Sequence, residues 1–330
     1  MTVPMSVLDL APIARGSTPS ESIAASVALA QQAERCGYTR VWYAEHHNMP
    51  SIASSATSVL IAHVGARTTS IRLGAGGVML PNHSPLVVAE QFGTLEAMYP
   101  GRNDLGLGRA PGSDPNTMYA LRRDPASADR FPQDVLELQG YLTGESRVPG
   151  VDAVPGKGSN VPLYILGSSL FGAHLAAALG LPYAFASHFA PRMLEAAVAT
   201  YRQEFQPSAQ LDAPYVIAGL NVIAADTGAD AREQLLTTRR LRATGIFGQR
   251  GREYTDAEAD LLLEHGAAAQ VDQMLTHAAV GTLPEVREAV ERFTKHADAD
   301  ELIVAHQSPT PAARLRSVEL LAEAMAPVRP

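Results

Sequence analysis

The chain has 330 residues, of which 46% are hydrophobic and 18% charged, so it can bury a large core and is too mixed in composition to be disordered. Its net charge of -8 argues against a nucleic-acid or anionic-membrane surface and favours a small-molecule site. One cysteine, Cys36, excludes an internal disulfide, and without a signal segment or a membrane-length apolar run we expect a cytoplasmic protein with neither a nucleic acid nor a membrane as partner.

Strand-like and helix-like segments alternate along the chain. Residues 5–10 predict a first strand, and Thr18 to Glu21 form a capping box that begins a helix ending at Gly37. Beyond a second strand, the pattern predicts these elements: a helix at 55–66, a strand at 71–80, a helix at 84–99, a strand at 104–109, a helix at about 129–142, a strand at 161–166, a helix at 170–179, a strand at 183–186, a helix at 191–203, a strand at 215–223, a helix at 228–242, a capping box at 282–285, a strand at 301–305 and a helix at 310–325.

The second predicted strand, Val41 to Asn48, is the segment on which we centre the chemistry. It is an apolar run that ends in the carboxylate of Glu45 and the imidazoles of His46 and His47. Because neighbouring strand side chains point to opposite faces, we expect the two histidines to diverge. A metal site that uses both is therefore disfavoured, and one of them should face a pocket.

Eight strands, each followed by a helix, predict a (β/α)8 TIM barrel. The alternative is a doubly wound open sheet, which the eight repeats and the extra chain length disfavour. We expect one domain over 1–330, with excursions at about 111–160 and 244–280 lying over the active-site end. The glycines of the second excursion, at 245, 248 and 251, and its charged residues at 250, 252 and 253 predict a mobile lid.

In such a barrel the active site lies at the carboxyl ends of the strands. These ends hold the candidate site residues: Glu45, His46, His47, Gly76, Gly77, Arg109, Ser168, Ser169, Ser187 and His188. Each has a structural alternative. A histidine can be held by hydrogen bonds in the barrel mouth, and a Gly-Gly pair can form a barrel-closing bulge, although missing side chains also let a flat ring approach the backbone.

Anion binding is indicated at two neighbouring strand ends. Arg109 is a cation in an acidic protein, and its structural alternative is an ion pair with Asp104 or Asp114. Ser168 and Ser169 lead directly into a helix, whose free amides and dipole suit a phosphate, whereas the alternative for Ser168 is a simple helix cap.

Several motifs together resemble the bacterial luciferase-like flavin monooxygenases. The motifs are Ala44-Glu45-His46-His47-Asn48, Val78-Met79-Leu80-Pro81, Ala89-Glu90-Gln91, Pro100-Gly101-Arg102 and Gly106-Leu107-Gly108-Arg109. The chain also shows a narrower resemblance, to a bacterial subgroup of that family, in Asp9-Leu10-Ala11-Pro12, residues 106–112 and Leu166-Gly167-Ser168-Ser169. The resemblance covers nearly the whole chain and is weakest in 111–160 and 243–281.

The resemblance implies a TIM barrel that binds FMN, usually as a homodimer. It assigns catalysis to His46, a non-prolyl cis peptide against the flavin ring to Gly76 and Gly77, and phosphate binding to Arg109. By the same resemblance the phosphate loop falls on Gly167, Ser168 and Ser169, and we add Ser187 and His188 as cofactor-binding candidates.

The expected reaction is monooxygenation of a small organic substrate with O2, through a flavin hydroperoxide. Reduced FMN would come from NAD(P)H directly or through a separate flavin reductase. Two residues depart from luciferase, because its reactive cysteine aligns with Gly108 and the acidic residue of its phosphate loop with Gly167, so light emission is not implied. The alternatives are a deazaflavin (F420)-dependent dehydrogenase and a non-catalytic flavin-binding protein.

Overall fold

The computed structural model describes residues 3–110, 114–249 and 252–326. Residues 111 and 112 of the resemblance motif, and residues 250 and 251 of the second excursion, lie outside these ranges. The strands are β1 Met5–Asp9, β2 Arg40–Tyr43, β3 Arg72–Met79, β4 Asn103–Gly108, β5 Leu163–Gly167, β6 Tyr183–Phe185, β7 Val216–Ala224, β8 Ala279–Gly281 and β9 Glu301–His306.

Parallel pairing closes eight of these strands into a barrel. The order is β6-β5-β4-β3-β2-β1-β9-β7, and a further pairing of β6 with β7 completes the ring. The predicted (β/α)8 TIM barrel is therefore confirmed, and the open-sheet alternative is wrong. The short β8 was not predicted; it pairs with the last residues of β7, Val222 to Ala224, outside the ring.

Helices connect the strands. They are α1 Pro19–Arg35, α2 Thr57–Gly65, α3 Pro85–Met98, α4 Pro115–Ala120, α5 Phe131–Thr143, α6 Leu170–Leu179, α7 Leu194–Glu204, α8 Gly228–Phe247, α9 Asp256–Leu262, α10 Ala268–Met274, α11 Leu283–Ala297 and α12 Pro311–Met325. The capping boxes predicted at Thr18 and Thr282 are present, with Glu21 and Glu285 completing them. No described helix is long and apolar enough to cross a membrane.

The second strand is shorter than predicted. It ends at Tyr43, where its register with β1 stops at Asp9 and its register with β3 stops at Ala75. Without a ladder partner the chain leaves the sheet, so His46 and His47 lie in the loop that follows the strand.

The second excursion is largely helical rather than a polar loop. The helix predicted to end at residue 242 continues to Phe247, and α9 and α10 follow, joined by a π-helical turn at Leu263–Ala267. Arg15, in the loop after β1, donates to the carbonyl of Tyr254, which places this segment beside a strand carboxyl end. Its predicted role as a mobile lid stays a prediction.

Two apolar layers surround the sheet. A large core packs the outer face of the barrel against the helices, and a smaller cluster fills the interior: Leu8, Trp42, Ala44, Tyr164, Ala184, Ile217 and Ile303. The amino-terminal end of the barrel is closed by charge. Arg40 Nη1 donates to Asp104 Oδ2 at 2.8 Å and Arg40 Nη2 to Glu301 Oε2 at 3.1 Å, and all three residues are buried. Only the opposite end is left for chemistry.

Candidate active site

A buried carboxylate organises the loop after β2. Glu45 is 2% exposed, and its Oε1 accepts hydrogen bonds from Nε2 of His47 at 2.7 Å and Nε2 of His83 at 2.8 Å. Its Oε2 accepts the backbone N–H of Met79 at 3.1 Å. Burial acts to raise the pKa of Glu45, but the hydrogen bonds from the two histidines outweigh burial and hold this pKa at about 2. Glu45 is therefore a fixed anion that ties the ends of β2 and β3 together.

The same three side chains have metal-ligand chemistry. One ligand atom from each of Glu45, His47 and His83 lies within 4.8 Å of the others. Two imidazoles and a carboxylate suit zinc or ferrous iron. Here the carboxylate already receives both imidazoles, so hydrogen bonding alone accounts for the arrangement, and we build no function on an ion. The cluster is not the adjacent His46–His47 pair that the sequence disfavoured.

His46 is the uncommitted imidazole of the loop. It is half-buried and makes no hydrogen bond to a described residue. Burial lowers its pKa, although the charge of Glu45 acts to raise it. Beside it lies a cavity of about 260 Å³, lined by His46, Asn48, Met49, Pro50, Ile52 and Ser55. The two adjacent histidines diverge, with His47 directed to Glu45 and His46 beside this cavity, but both lie in the loop beyond β2, so strand alternation is not the cause.

His188 brings a second imidazole to the mouth, in the loop after β6. Burial, together with the charges of Arg242 and His46, lowers its pKa to about 4. Its Nδ1 is buried without a hydrogen-bond partner in the described residues, and a Cβ built on Gly219 would lie 2.3 Å from that atom. Glycine at position 219 is therefore what admits this ring against β7.

Gly76 and Gly77 are joined by a cis peptide bond, which confirms that prediction. The register of β3 against β4 shifts between Ala75 and Val78, so the expected bulge is present as well. A Cβ on Gly77 would lie 2.8 Å from the backbone oxygen of Gly106, so the barrel itself requires glycine there. The approach of a flavin ring to this bulge stays a prediction.

Arg109 lies at the start of α6, as the phosphate hypothesis requires. Its guanidinium carbon stacks over the ring of Phe171 with 4.1 Å to the centroid, and it makes no ion pair with a described residue. Asp104, one proposed structural partner, is bound instead to Arg40 at the other end of the barrel. Asp114, the other partner, caps α4 and interacts with Asn48 and Thr117.

Ser168 and Ser169 both precede the first turn of α6. The N-cap residue is Ser169, so the cap alternative for Ser168 is wrong, and Ser169 makes no side-chain cap hydrogen bond. Ser187 differs, because it is buried and its hydroxyl donates to the carbonyl of Gly219 at 2.6 Å. A cofactor contact at Ser187 stays a prediction; because its hydroxyl hydrogen is already donated, Ser187 could act there only as an acceptor. A cofactor contact at Ser168 also stays a prediction.

Two residues at this end of the barrel, His83 and Arg242, were not predicted from the sequence. His83 follows the short 3-10 turn Leu80–Asn82 that ends β3, and its place near a strand end was the signal that could have identified it. Arg242 lies within α8, where no sequence signal marked it. It is half-buried, and its Nη2 donates to Asn221 Oδ1 at 3.2 Å. Asn221 in turn donates to the backbone oxygen of His188 at 2.6 Å.

Comparison with known proteins agrees with this architecture. Residues 3–299 match the family model described as luciferase-like monooxygenase. A luciferase-like monooxygenase of Escherichia coli strain K12 is 49% identical over 321 residues, which cover 97% of this chain and 96% of that protein. The N-acetyl-S-alkylcysteine monooxygenase of Bacillus subtilis is 30% identical over 335 residues, which cover 97% and 98%.

Solved structures share the fold over nearly the whole chain. Apo-MsnO8 is 37% identical, with a TM-score of 0.85 and 98% coverage of both chains. The FMN complex of the oxygenating constituent of 3,6-diketocamphane monooxygenase from Pseudomonas putida is 18% identical, with a TM-score of 0.71 and 98% coverage of both. An F420-dependent secondary alcohol dehydrogenase is 17% identical, with a TM-score of 0.70 and coverage of 99% and 100%. The last two likenesses concern the fold alone.

Proposed function

The chain belongs to the luciferase-like monooxygenase family, and from this premise we propose that it is an FMN-dependent monooxygenase that transfers one oxygen atom of O2 to a small organic substrate. Membership of this family supports an oxygenase activity. FMN is the proposed cofactor because the barrel mouth offers one end suited to a terminal phosphate and another suited to proton transfer.

The observation that carries this proposal is the uncommitted imidazole of His46. It is half-buried at the mouth, makes no hydrogen bond to a described residue and borders a cavity. Burial lowers its pKa, so the ring is neutral at physiological pH and can accept a proton at one nitrogen or donate one from the other. A non-catalytic flavin-binding protein would have no need to keep such a group free.

Arg109, Ser168 and Ser169 would hold the phosphate of FMN. The ring of Phe171 stacks against the guanidinium of Arg109, and the amino-terminal amides and dipole of α6 favour an anion beside it. The open side-chain position at Gly167 adds room, because a Cβ built there would meet nothing closer than 3.7 Å. These contacts anchor the phosphate end of the cofactor, and the histidines lie at the reacting end.

Reduced FMN, when bound, supplies the electrons that activate O2. The residues of the chain then have three tasks. Glu45 fixes the loop after β2, His46 holds or moves a proton at the reacting end, and the helical segment α8–α10 restricts water at the mouth. We propose that electrons arrive from NAD(P)H, directly or through a separate flavin reductase, and that the enzyme is a homodimer, as in the family it resembles.

The experiment compares cofactors before it searches for substrates. Purified protein is titrated with FMN and with F420, and we expect FMN to bind at least tenfold more tightly. The FMN-loaded protein is then given a flavin reductase, NADH, 18O2 and a panel of thioethers and ketones, with N-acetyl-S-benzylcysteine included because a relative acts on N-acetyl-S-alkylcysteines. Incorporation of one 18O atom supports the proposal. Preference for F420, with hydride transfer and no oxygen uptake, would replace it with a dehydrogenase.

A further inference from the structure

Arg242 is a half-buried cation at the barrel mouth that lacks a carboxylate partner. Its Nη2 donates to the neutral Asn221 Oδ1 at 3.2 Å, and it forms no ion pair with a described residue. The neighbouring arginines of α8 differ: Arg239 binds Asp272 at 2.9 Å and Arg240 binds Asp260 at 2.6 Å. A half-buried guanidinium that no carboxylate of the described residues balances is suited to an anion from outside the chain.

The surroundings of Arg242 hold it in place for such an anion. Asn221 is 1% exposed and accepts from Arg242 while donating to the backbone of His188, so one amide links α8, β7 and the loop after β6. The other two guanidinium nitrogens make no hydrogen bond to a described residue and are not sealed from solvent. Nη2 uses only one of its two hydrogens on Asn221, so its second hydrogen, with a hydrogen of Nε or Nη1, forms an edge of two free donors at the mouth.

His188 adds an imidazole beside the guanidinium. Asn221 joins the two residues, since it accepts from Arg242 and donates to the backbone oxygen of His188 at 2.6 Å. Burial, with a smaller effect of the Arg242 charge, lowers the pKa of His188 to about 4. The ring of Phe189 lies against that of His188, with centroids 5.3 Å apart, and is 48% exposed. The site thus combines one positive charge, one neutral donor and an apolar surface.

We infer that Arg242, with His188, forms a subsite for the carboxylate of an organic acid substrate whose apolar part contacts Phe189. The inference rests on the proposed function only in treating the bound acid as a substrate, and binding of a carboxylate at Arg242 does not depend on it. A second phosphate site is not needed, because Arg109 and the start of α6 serve that group at the ends of β4 and β5. A planar carboxylate fits the two free donors of a guanidinium, and a neutral amide does not.

The test measures binding rather than turnover. Phenylacetate and hexanoate are titrated by calorimetry against FMN-free and FMN-loaded protein, with phenylacetamide and hexanamide as matched neutral probes. We expect the carboxylates to bind at least tenfold more tightly than the amides. Arg242→Met should remove that preference, and Arg242→Lys should keep part of it. Arg239→Met is the control, because that arginine already has Asp272, and it should change neither affinity.

Three outcomes overturn the inference. Equal affinity of wild-type protein for carboxylates and amides would do so, and so would a preference that survives Arg242→Met. A loss of FMN affinity greater than about threefold in Arg242→Met, with carboxylate binding intact, would assign Arg242 to the cofactor instead. Failure to bind FMN, with the carboxylate preference retained, would count against the proposed function alone.

Discussion

His46 and His47 are adjacent in sequence, but the protein gives them opposite protonation preferences. Burial lowers the pKa of His46, whereas the hydrogen bond to Glu45 raises that of His47. Near neutral pH, His46 is therefore the ring available for proton transfer, and His47 is a partner of the buried carboxylate. The two pKa shifts differ because only the side chain of His47 reaches Glu45, and the order of the two residues in the sequence does not determine this.

Replacing His46 with Ala should uncouple the reaction. FMN affinity should stay within about threefold, because the phosphate contacts are made elsewhere. Product formation should fall by about 10²–10⁴, the usual contribution of general acid–base assistance, while hydrogen peroxide release rises. Steady-state assays of product and peroxide measure both. His47→Ala is the comparison; full coupled turnover in His46→Ala together with its loss in His47→Ala would assign the catalytic role to His47.

Arg109→Ala should weaken FMN binding by one to two orders of magnitude, because a charge-assisted contact contributes about 1.5–3 kcal/mol. Flavin fluorescence quenching measures this affinity. Arg123, which is half-buried and donates to the carbonyl of Asn82, provides a matched control in Arg123→Ala. Unchanged FMN affinity in Arg109→Ala would show that the phosphate lies elsewhere.

At the scale of elements, the charged layer at the amino-terminal end of the barrel connects β2, β3, β4 and β9. Asp104 is fully buried and accepts from Arg40 at 2.8 Å, from Arg72 at 2.5 Å and from Trp42 Nε1 at 3.1 Å. These bonds join strands that are distant in sequence. Their function is to close the barrel, because chemistry in this architecture takes place at the other end.

Asp104→Ala should lower the free energy of unfolding by about 3–5 kcal/mol, since it leaves the buried Arg40 without one of its two carboxylates. Asp226→Ala is the matched control. Asp226 pairs with Arg316 at 2.7 Å on the surface, where water and salt screen the two charges and such pairs contribute little to stability. Urea unfolding monitored by circular dichroism compares the two variants. Equal losses would mean that the buried layer adds nothing beyond a surface pair.

The elements were predictable where local chemistry determines them. Thr18 and Thr282 begin helices through capping boxes that are visible in the sequence, and the Gly76–Gly77 bulge follows from missing side chains. The end of β2 was not predictable, because it depends on where the registers with β1 and β3 stop. Arg242 was not predicted for a similar reason: whether a side chain of α8 reaches Asn221 depends on how the helix packs against the barrel, which local sequence does not determine.

At the scale of the whole molecule, buried neutral histidines couple folding to pH. His306 is 7% exposed; burial and then the charge of Arg314 lower its pKa to about 3, and its Nδ1 lies 2.8 Å from Ser317 Oγ. An unfolded histidine has a pKa of about 6.5. The unfolded chain therefore binds more protons than the folded one below that pH, and His188, with a pKa of about 4, adds to the difference.

We therefore expect stability to fall as the pH is lowered through about 6.5, with a slope of up to about 1.4 kcal/mol per pH unit for each extra proton taken up by the unfolded chain. Glu45 acts in a lower window. Its folded pKa of about 2 gives stability that is complete above the unfolded value of about 4.5 and is lost as the pH falls towards 2. The histidine loss begins first, at about pH 6.5, and continues until the folded pKa values of about 4 for His188 and about 3 for His306 are passed.

The variant His306→Asn separates these windows. It removes one titrating group, so its unfolding free energy should decrease between about pH 6.5 and 4.5 with a slope roughly one proton smaller than that of the wild-type protein. The two slopes should converge only below about pH 3, the folded pKa of His306, while the contribution of Glu45 below about pH 4.5 is the same in both proteins. Urea unfolding at half-unit pH intervals measures the slopes whatever the absolute stability of the variant. Identical slopes in the upper window would mean that His306 is protonated in the folded state, against the direction that its burial beside Arg314 gives its pKa.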